Sequence, residues 1–243
     1  IERDYLTDYR IFAPPSDIDL SQVTTSASGD YSPPKLKAAR RESHITGDVV
    51  EHYLRIARGK LGITFDTDIE SATETAAAFR AAGVSAEVVS SKSHDEFRRS
   101  TIRKFRNREV LQLVNVDLFG EGFDLPAIEV VSMARPTQSY GLYCQQFGRA
   151  LRPMEGKDRA IIIDHVGNVL RHGLPDAYRE WSLDRRERRS RSAPADAIPV
   201  RTCLNPECLS VYERIYKACP FCGFEVVPSS RSAPEYVDGD LFE

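Results

Sequence analysis

The chain has 243 residues, of which 41% are hydrophobic and 28% charged, and its formal net charge is −3 at pH 7. This composition is typical of a globular protein, and the length allows one α/β domain with a small additional module. The net charge excludes a surface coated with positive potential, so nucleic acid would have to bind at local basic patches. No apolar run approaches the roughly 20 residues of a membrane span, and no secretory signal is present, so we expect a cytoplasmic protein without membrane contacts.

The first 58 residues predict a lead-in to the main domain. Residues 9–13 form a strand-like run that ends at two prolines, and residues 16–34 have the Ser, Thr, Asp and Pro content of a loop. Helices are predicted at residues 35–42 and 47–57, the second with Thr46 as a possible N-cap. Because the sequence begins with Ile1 rather than Met, we expect it to be part of a longer protein.

From residue 59 onward, predicted strands and helices alternate. Strands are predicted at residues 61–65, 86–89, 110–114, 128–133 and 159–164, with helices at 69–82, 95–106 and 137–152 between them. Such alternation predicts an α/β fold, in which a parallel sheet is covered by helices on both faces. In such sheets the functional loops lie beyond the carboxyl ends of the strands, which places residues 117–124 and the residues after Met133 along one edge.

The predicted helix at 137–152 carries the pattern Gln145-x-x-Gly148-Arg149-x-x-Arg152. Arginines three residues apart share one face of a helical turn, so we expect both side chains to point the same way. Two guanidinium groups aimed together suit the oxygens of a polyphosphate, which arginine binds bidentately. The alternative is an ordinary amphipathic helix with both arginines in water.

The C-terminal part of the chain changes character. Residues 166–182 predict a helical extension, so that the main domain covers residues 1–182, and the arginine-rich residues 183–200 predict an exposed basic linker. Residues 201–227 form a compact cysteine-containing module. Residues 228–243 form a polar tail with an acidic end, and we expect this tail to be disordered.

Four of the five cysteines lie in the module. The spacings are Cys203-x4-Cys208 and Cys219-x2-Cys222, and four thiolates at such spacings suit a structural, tetrahedral Zn²⁺ site of the zinc-ribbon type. The alternative is a pair of disulfides, which a reducing compartment would disfavour. Three aromatic residues of the module could stack on bases, but we expect them to form its small core: Tyr212, Tyr216 and Phe221.

The motifs resemble those of superfamily 2 helicases. The pattern around Arg149 and Arg152 is similar to their sixth conserved motif, Glu-Gly-Phe-Asp at 121–124 resembles the fifth, and Gly-Ile-Thr-Phe at 62–65 the fourth. Order and spacing agree across residues 60–165. Residues 145–153, together with the cysteine module, most resemble the RadD-type bacterial and phage DNA helicases.

This resemblance implies that the chain is the second of two RecA-like lobes, with ATP and Mg²⁺ bound between them. It implies that Arg152 is the arginine finger, that Arg149 is its partner, and that Gln145 senses the γ-phosphate or bridges to the other lobe. It further implies that Asp124 and the backbone at Gly122 contact the ribose or couple the nucleotide to DNA binding. For Asp124, an ordinary turn residue is the alternative.

The resemblance also places DNA contacts after the predicted strand at 86–89. Ser90, Ser91 and Lys92 suit contacts with backbone phosphates, although a solvated loop is an equal alternative. Many relatives carry a threonine whose hydroxyl makes such a contact at the position of Val116, so the neighbouring Asn115 or a backbone N–H would have to replace it here. Contacts of this kind are independent of base sequence and sensitive to salt.

Two motifs of a complete helicase motor are missing. The sequence contains neither a Gly-x-x-x-x-Gly-Lys-[Ser/Thr] phosphate loop nor an Asp-Glu-x-[Asp/His] box for Mg²⁺. We therefore expect an N-terminal ATP-binding lobe as a partner and no ATP hydrolysis by this chain alone. The other partners would be DNA and possible proteins that bind the zinc ribbon or the tail. Two alternatives are a non-catalytic binding module and the motor subunit of a restriction-type translocase.

Overall fold

A computed structural model describes residues 5–26, 29–116, 128–177 and 199–226. Within these residues the elements are, in chain order, β1 (Tyr9–Phe12), α1 (Pro33–Arg41), α2 (Ile45–Ile56), β2 (Gly62–Phe65), α3 (Ile69–Ala81), β3 (Ala86–Ser90), α4 (Asp95–Arg106), β4 (Gln112–Val116), β5 (Val130–Met133), α5 (Tyr140–Gly148), β6 (Ala160–Asp164), α6 (Asn168–His172), β7 (Val200–Thr202) and β8 (Val211–Glu213).

The main sheet has six parallel strands in the order β1-β6-β5-β2-β4-β3. All residues of β2, β4, β5 and β6 are buried, as expected for strands that have neighbours on both sides and helices against the sheet. The predicted α/β class with a parallel sheet is confirmed. The strand predicted at 110–114 is observed two residues later, at Gln112–Val116.

Helix boundaries follow local capping. Asp68 caps α3, because its carboxylate accepts hydrogen bonds from the backbone N–H groups of Glu70 and Ser71 at 3.1 and 3.3 Å. The helix ends before Gly83, whose φ of +79° is the left-handed conformation that a C-terminal glycine supplies. The predicted cap of α2 is wrong: the helix begins at Ile45 with His44 as N-cap, so Thr46 lies inside its first turn.

The prediction for α5 needs a larger correction. The helix begins at Tyr140, where the Ser139 hydroxyl accepts from the Leu142 N–H at 3.2 Å, and it ends at Gly148. The following backbone N–H groups, those of residues 149–151, bond to carbonyls three residues back, which tightens the chain into a turn. Pro153 also disfavours helical conformation at Arg152. Arg152 therefore lies beyond the helix, not on its last turn.

The predicted helical extension at 166–182 is much shorter where it is described. Helix α6 has five residues and stops at Gly173, whose φ is +75°. Residues 178–198 lie outside the described residues, as do residues 228–243, so the predictions of a basic linker and of a disordered tail fall almost wholly outside them.

The cysteine module lies against the edge strand of the main sheet. Strands β7 and β8 form an antiparallel pair, and the segment before β8 meets β1, where the Ala13 N–H donates to the Leu209 carbonyl at 3.0 Å. The Arg10 side chain donates from Nε and Nη2 to the Ser210 hydroxyl at 3.0 and 2.8 Å. These contacts cover part of an edge that would otherwise present unpaired backbone groups.

Candidate functional site

A buried polar network fixes the loop that leads into α5. The Asn168 side chain, which is fully buried, accepts from the Thr137 backbone N–H at 3.1 Å and donates to the Arg135 carbonyl at 3.0 Å. Its Oδ1 also accepts from Arg171 Nη1 at 2.8 Å, and the ring of His172 hydrogen-bonds the Thr137 carbonyl at 2.9 Å. The loop is therefore held by residues that follow β6.

Asp30 holds the same loop from the other side. Its Oδ1 accepts from the Thr137 hydroxyl at 3.0 Å and from the Gln138 backbone N–H at 2.7 Å. The Gln138 amide in turn donates to the Tyr31 hydroxyl at 2.8 Å. Sequence reasoning missed Asp30 and Asn168, because each lies in a segment whose only local signal is that of a loop or a short helix.

Helix α5 presents one glutamine outward and one inward. Gln145, the residue of the motif, is exposed, whereas Gln146 is fully buried. Among the residues that the structure describes, neither side-chain amide atom of Gln146 has a hydrogen-bond partner. Phe147 anchors the same face in the core, with its ring 5.0 Å from that of Tyr9 in an edge-to-face contact. The helix is thus fixed by packing while Gln145 remains accessible.

The two motif arginines lie on the turn that follows α5. Arg149 is the C-cap residue and Arg152 lies three residues further on, and both side chains are partly exposed. Burial lowers the pKa of Arg149 from its ordinary value. A short turn on an anchored helix can present two guanidinium groups to one polyanion, although not from a shared helical face as predicted.

The carboxyl ends of neighbouring strands place the predicted DNA-contact residues next to one another. In the pairing of β3 with β4, Val89 is opposite Asn115 and Ser90 is opposite Val116. Asn115 is only 2% exposed, and its Oδ1 has no hydrogen-bond partner within the described part of the chain. The strand ends at Val116, and the predicted nucleotide contacts Gly122 and Asp124 lie outside the described residues.

The turn after β3 is shaped by serine hydroxyls. Ser90 is buried, its backbone N–H donates to the Ser93 hydroxyl at 3.0 Å, and its own hydroxyl accepts from the Lys92 N–H at 3.3 Å. Ser91 and Lys92 are exposed at the tip of this turn. Helix α4 follows directly, with four exposed basic side chains: Arg99, Arg103, Lys104 and Arg106. The exposed residues of the turn and the helix therefore include five basic side chains, while the first turn of the helix also exposes Asp95 and Glu96.

The structure brings the four cysteines of the module together. Their Sγ atoms all lie within 4.8 Å of one another, with 3.5 Å between Cys203 and Cys222 and 3.8 Å between Cys208 and Cys219. A tetrahedral Zn²⁺ with Zn–S bonds of about 2.3 Å requires sulfurs about 3.8 Å apart. This donor set therefore fits zinc, and the sulfur separations are far longer than the roughly 2.05 Å of a disulfide bond.

The surroundings of the sulfurs differ among the cysteines. Burial raises the pKa of Cys203 to about 12. For Cys208, burial also acts to raise the pKa, but hydrogen bonds involving Ser210 and the other cysteines outweigh it and lower the pKa to about 6. Arg10 Nη2 approaches Cys208 Sγ at 3.9 Å, so a cation of the main domain lies beside the thiolate group.

The sequence led us to expect that three aromatic residues form the core of the module, but the structure buries one of the three. Tyr212 is buried and packs with three of the cysteines, but Tyr216 and Phe221 are 50% and 43% exposed. Phe221 lies under the Arg10 guanidinium, whose carbon is 4.5 Å from the ring centroid. In a module of this size the cysteine cluster takes the place of a larger apolar core.

The sheet, its strand order and the arginine turn define a RecA-like lobe, and comparisons with known proteins agree. Residues 47–154 match the helicase conserved C-terminal domain. A 51.5 kDa protein of Lactococcus phage (isolate 7-9) is 33% identical over 225 residues, which are 93% of this chain and 48% of that protein. The Saccharomyces cerevisiae protein IRC3, assigned by its name to the ATP-dependent helicases, is 29% identical over 69% of this chain and 24% of its own length.

A solved structure supports the fold. It is a fragment of an HsdR subunit assigned to a type I restriction enzyme of Vibrio vulnificus YJ016, with 24% identity and a TM-score of 0.50 over 66% of this chain and 32% of that one. Together these findings show a helicase conserved C-terminal domain at residues 47–154 and support the assignment of the chain to the C-terminal lobe of superfamily 2 helicases. It spans about half the length, or less, of the curated relatives that it matches. None of the described helices is long and apolar enough to cross a membrane.

Proposed function

We propose that this lobe is the C-terminal half of an ATP-dependent DNA helicase or translocase, with Arg152 as its arginine finger and Arg149 as the partner of that finger. The observation that carries the proposal is the turn of residues 149–152. It follows an anchored helix, presents two partly exposed arginines, and lies within the region that matches the helicase C-terminal domain.

The proposed chemistry is electrostatic. ATP with Mg²⁺, held mainly by an N-terminal lobe, would supply the phosphoryl group. The guanidinium groups of Arg149 and Arg152 would stabilise the negative charge that develops on that group during transfer. The exposed position of Gln145 supports a contact with the γ-phosphate or with the other lobe. For Gly122 and Asp124, which lie outside the described residues, the proposed role is a contact with the ribose or the coupling of the nucleotide to DNA binding, and it rests on the sequence alone.

We place the proposed contact with DNA beside β3, which is the edge strand opposite to β1. Ser91 and Lys92 are exposed at the turn after β3, and Ser90 shapes that turn through its hydroxyl. These features support backbone-directed binding that weakens with salt. Because Asn115 is 2% exposed, it would need to become accessible to touch a phosphate, so the proposal assigns the direct contacts to Ser91 and Lys92.

The proposed role of zinc is structural. Cys203, Cys208, Cys219 and Cys222 would hold one Zn²⁺, which would give residues 201–227 the stability that their small apolar content cannot supply. The proposed domain boundaries are residue 182 for the lobe and residues 183–200 for the linker. The module could also bind a protein partner through its exposed side chains.

The test is the ATPase activity of the protein that contains both lobes. Replacing Arg152 by alanine should lower kcat by about three to five orders of magnitude with DNA present, because the finger acts on the transition state, while ATP binding persists. The matched control is Arg159→Ala, which removes an exposed arginine seven residues further along the chain. Wild-type turnover in the Arg152 variant would rule out the finger, and a wild-type protein without ATPase activity would favour a non-catalytic binding module.

A further inference from the structure

One lysine outside the recognised motifs contacts the arginine turn directly. The side chain of Lys157 is half-buried, and its Nζ donates to the carbonyls of Ile128 and Arg152, each at 2.9 Å. It also donates to the carbonyl of Ala150 at a shorter distance. An ammonium group has three N–H donors, so these three carbonyls satisfy all of them.

Two of the three carbonyls belong to the arginine turn, and the third belongs to the residue that follows the proposed nucleotide-contact loop. Ala150 and Arg152 lie in the turn after α5, where carbonyls lack partners within the helix and where a positive charge is favourable. Ile128 directly follows residues 117–127, which contain Gly122 and Asp124, and it leads into β5. Lys157 thus joins the turn that carries both arginines to the chain that leaves the proposed nucleotide-contact loop.

Placing the Lys157 ammonium among these carbonyls is unfavourable by itself, because it removes the charged group from water. Burial lowers the pKa of Lys157 to about 8, although the Glu129 carboxylate acts in the opposite direction. An apolar side chain of similar length would avoid that desolvation and could still pack against the same residues. What it could not do is hold three backbone carbonyls at fixed positions around one atom.

We propose that Lys157 is a positioning residue that sets where Arg149 and Arg152 are held relative to the chain at Ile128. This inference rests on the proposed function, because it assigns Lys157 an effect on catalysis through the two arginines. A displacement of about 1 Å at a reacting group can reduce the rate about 100-fold, so loss of the ammonium should act mainly on turnover.

The experiment compares Lys157→Met with Lys157→Arg and with the control Lys60→Met, all in the protein that contains both lobes. Lys60 is a suitable control because its side chain is 45% exposed and its ammonium reaches only the Glu129 carboxylate, at 3.4 Å, among the contacts observed for it. We expect Lys157→Met to lower kcat about 10- to 100-fold with KM for ATP changed less than about twofold. Lys157→Arg should recover part of this loss, because arginine can donate to several carbonyls.

Hydrogen–deuterium exchange of the same proteins provides a measurement that does not depend on ATPase activity. Exchange at the backbone amides of residues 149–152 should be faster in Lys157→Met and unchanged in Lys60→Met. Wild-type exchange in that segment would overturn the inference, as would wild-type kcat, or a loss of activity that matches a loss of folded protein in thermal unfolding. If the wild-type protein has no ATPase activity, the proposed function fails, and exchange alone then decides whether Lys157 holds the turn.

Discussion

Replacing Asn168 by alanine tests whether the segment after β6 holds the loop before α5. The substitution removes the acceptor of the Thr137 N–H and the donor to the Arg135 carbonyl, at 3.1 and 3.0 Å in the wild type. It also removes the acceptor of Arg171 Nη1. Asn168 and Thr137 are both fully buried, so water cannot replace these partners without a change in structure.

The expected magnitude follows from the backbone groups that lose Asn168 as a partner. An unsatisfied buried donor or acceptor costs about 1–3 kcal/mol, and this substitution removes the Asn168 side chain from two such groups. We therefore expect the free energy of unfolding to fall by about 2–5 kcal/mol. For a domain of this size, each kcal/mol corresponds to a shift in Tm of roughly 2–4 °C, so Tm should fall by on the order of 10 °C.

Urea unfolding of the purified chain measures this loss. The matched control is Asn107→Ala, because Asn107 is exposed and its side chain bonds only the exposed Glu109 carboxylate, at 3.0 Å, among the contacts observed for it. The control should change the free energy of unfolding by less than about 0.5 kcal/mol. A loss below about 1 kcal/mol for Asn168→Ala would refute the reasoning, because the loop would then be held by Asp30 and His172 without it.

Two further predictions concern the metal and the buried histidine. Freshly purified, reduced protein should contain one zinc per chain by elemental analysis, and Cys219→Ser should lose it; a wild-type content near zero would contradict the zinc site. Burial lowers the pKa of His165 from 6.5 to about 3, so between these values the unfolded chain binds a proton that the folded chain does not. Stability should therefore fall as pH falls through that window, by up to about 1.4 kcal/mol per pH unit from this group. His165→Leu should reduce that slope in urea unfolding at pH 5–7, and an identical slope would exclude His165 as its source.

The sheet could be predicted because its strands are short, apolar and separated by helices. The register of β4 could not. Val110 and Leu111 continue the apolar run on its amino-terminal side, so hydrophobicity alone does not say where pairing begins. The pairing of Gly62 with Gln112 fixes the start of the strand, and this is a tertiary contact across 50 residues.

The end of α5 was predictable from local chemistry, yet the spacing of the arginines suggested that the helix continues to Arg152. Pro153 disfavours helical conformation at Arg152, and this signal is present in the sequence. A motif with two arginines three residues apart fits a helical turn equally well, so its spacing carries no information about where the helix ends. The resemblance to a helicase motif is independent of that error, because it depends on residue order.

The position of the cysteine module could not be predicted, because it depends on contacts between distant residues. Arg10 and Ser210 are 200 positions apart, and neither belongs to a pattern that suggests the other. Similarly, no periodicity indicates that Lys157 reaches Ile128 across 29 positions. Spacing predicted the sulfur cluster because four ligands of one ion must converge, whereas a docking surface imposes no such rule on the sequence.

The strand order places the proposed DNA contact and the cysteine module at opposite edges of the main sheet. The exposed turn at Ser91 and Lys92 follows β3, one edge strand, whereas the cysteine module lies against β1, the other edge. Between them, α5 is held at its start by Asn168, which follows β6, and beyond its end by Lys157, which precedes β6. The segments on either side of β6 therefore hold the chain before and after α5, together with Asp30 at the loop before the helix and Ile128 before β5. Under the proposed function, substitutions beside β6 should therefore lower kcat for ATP hydrolysis more than they lower the affinity for DNA.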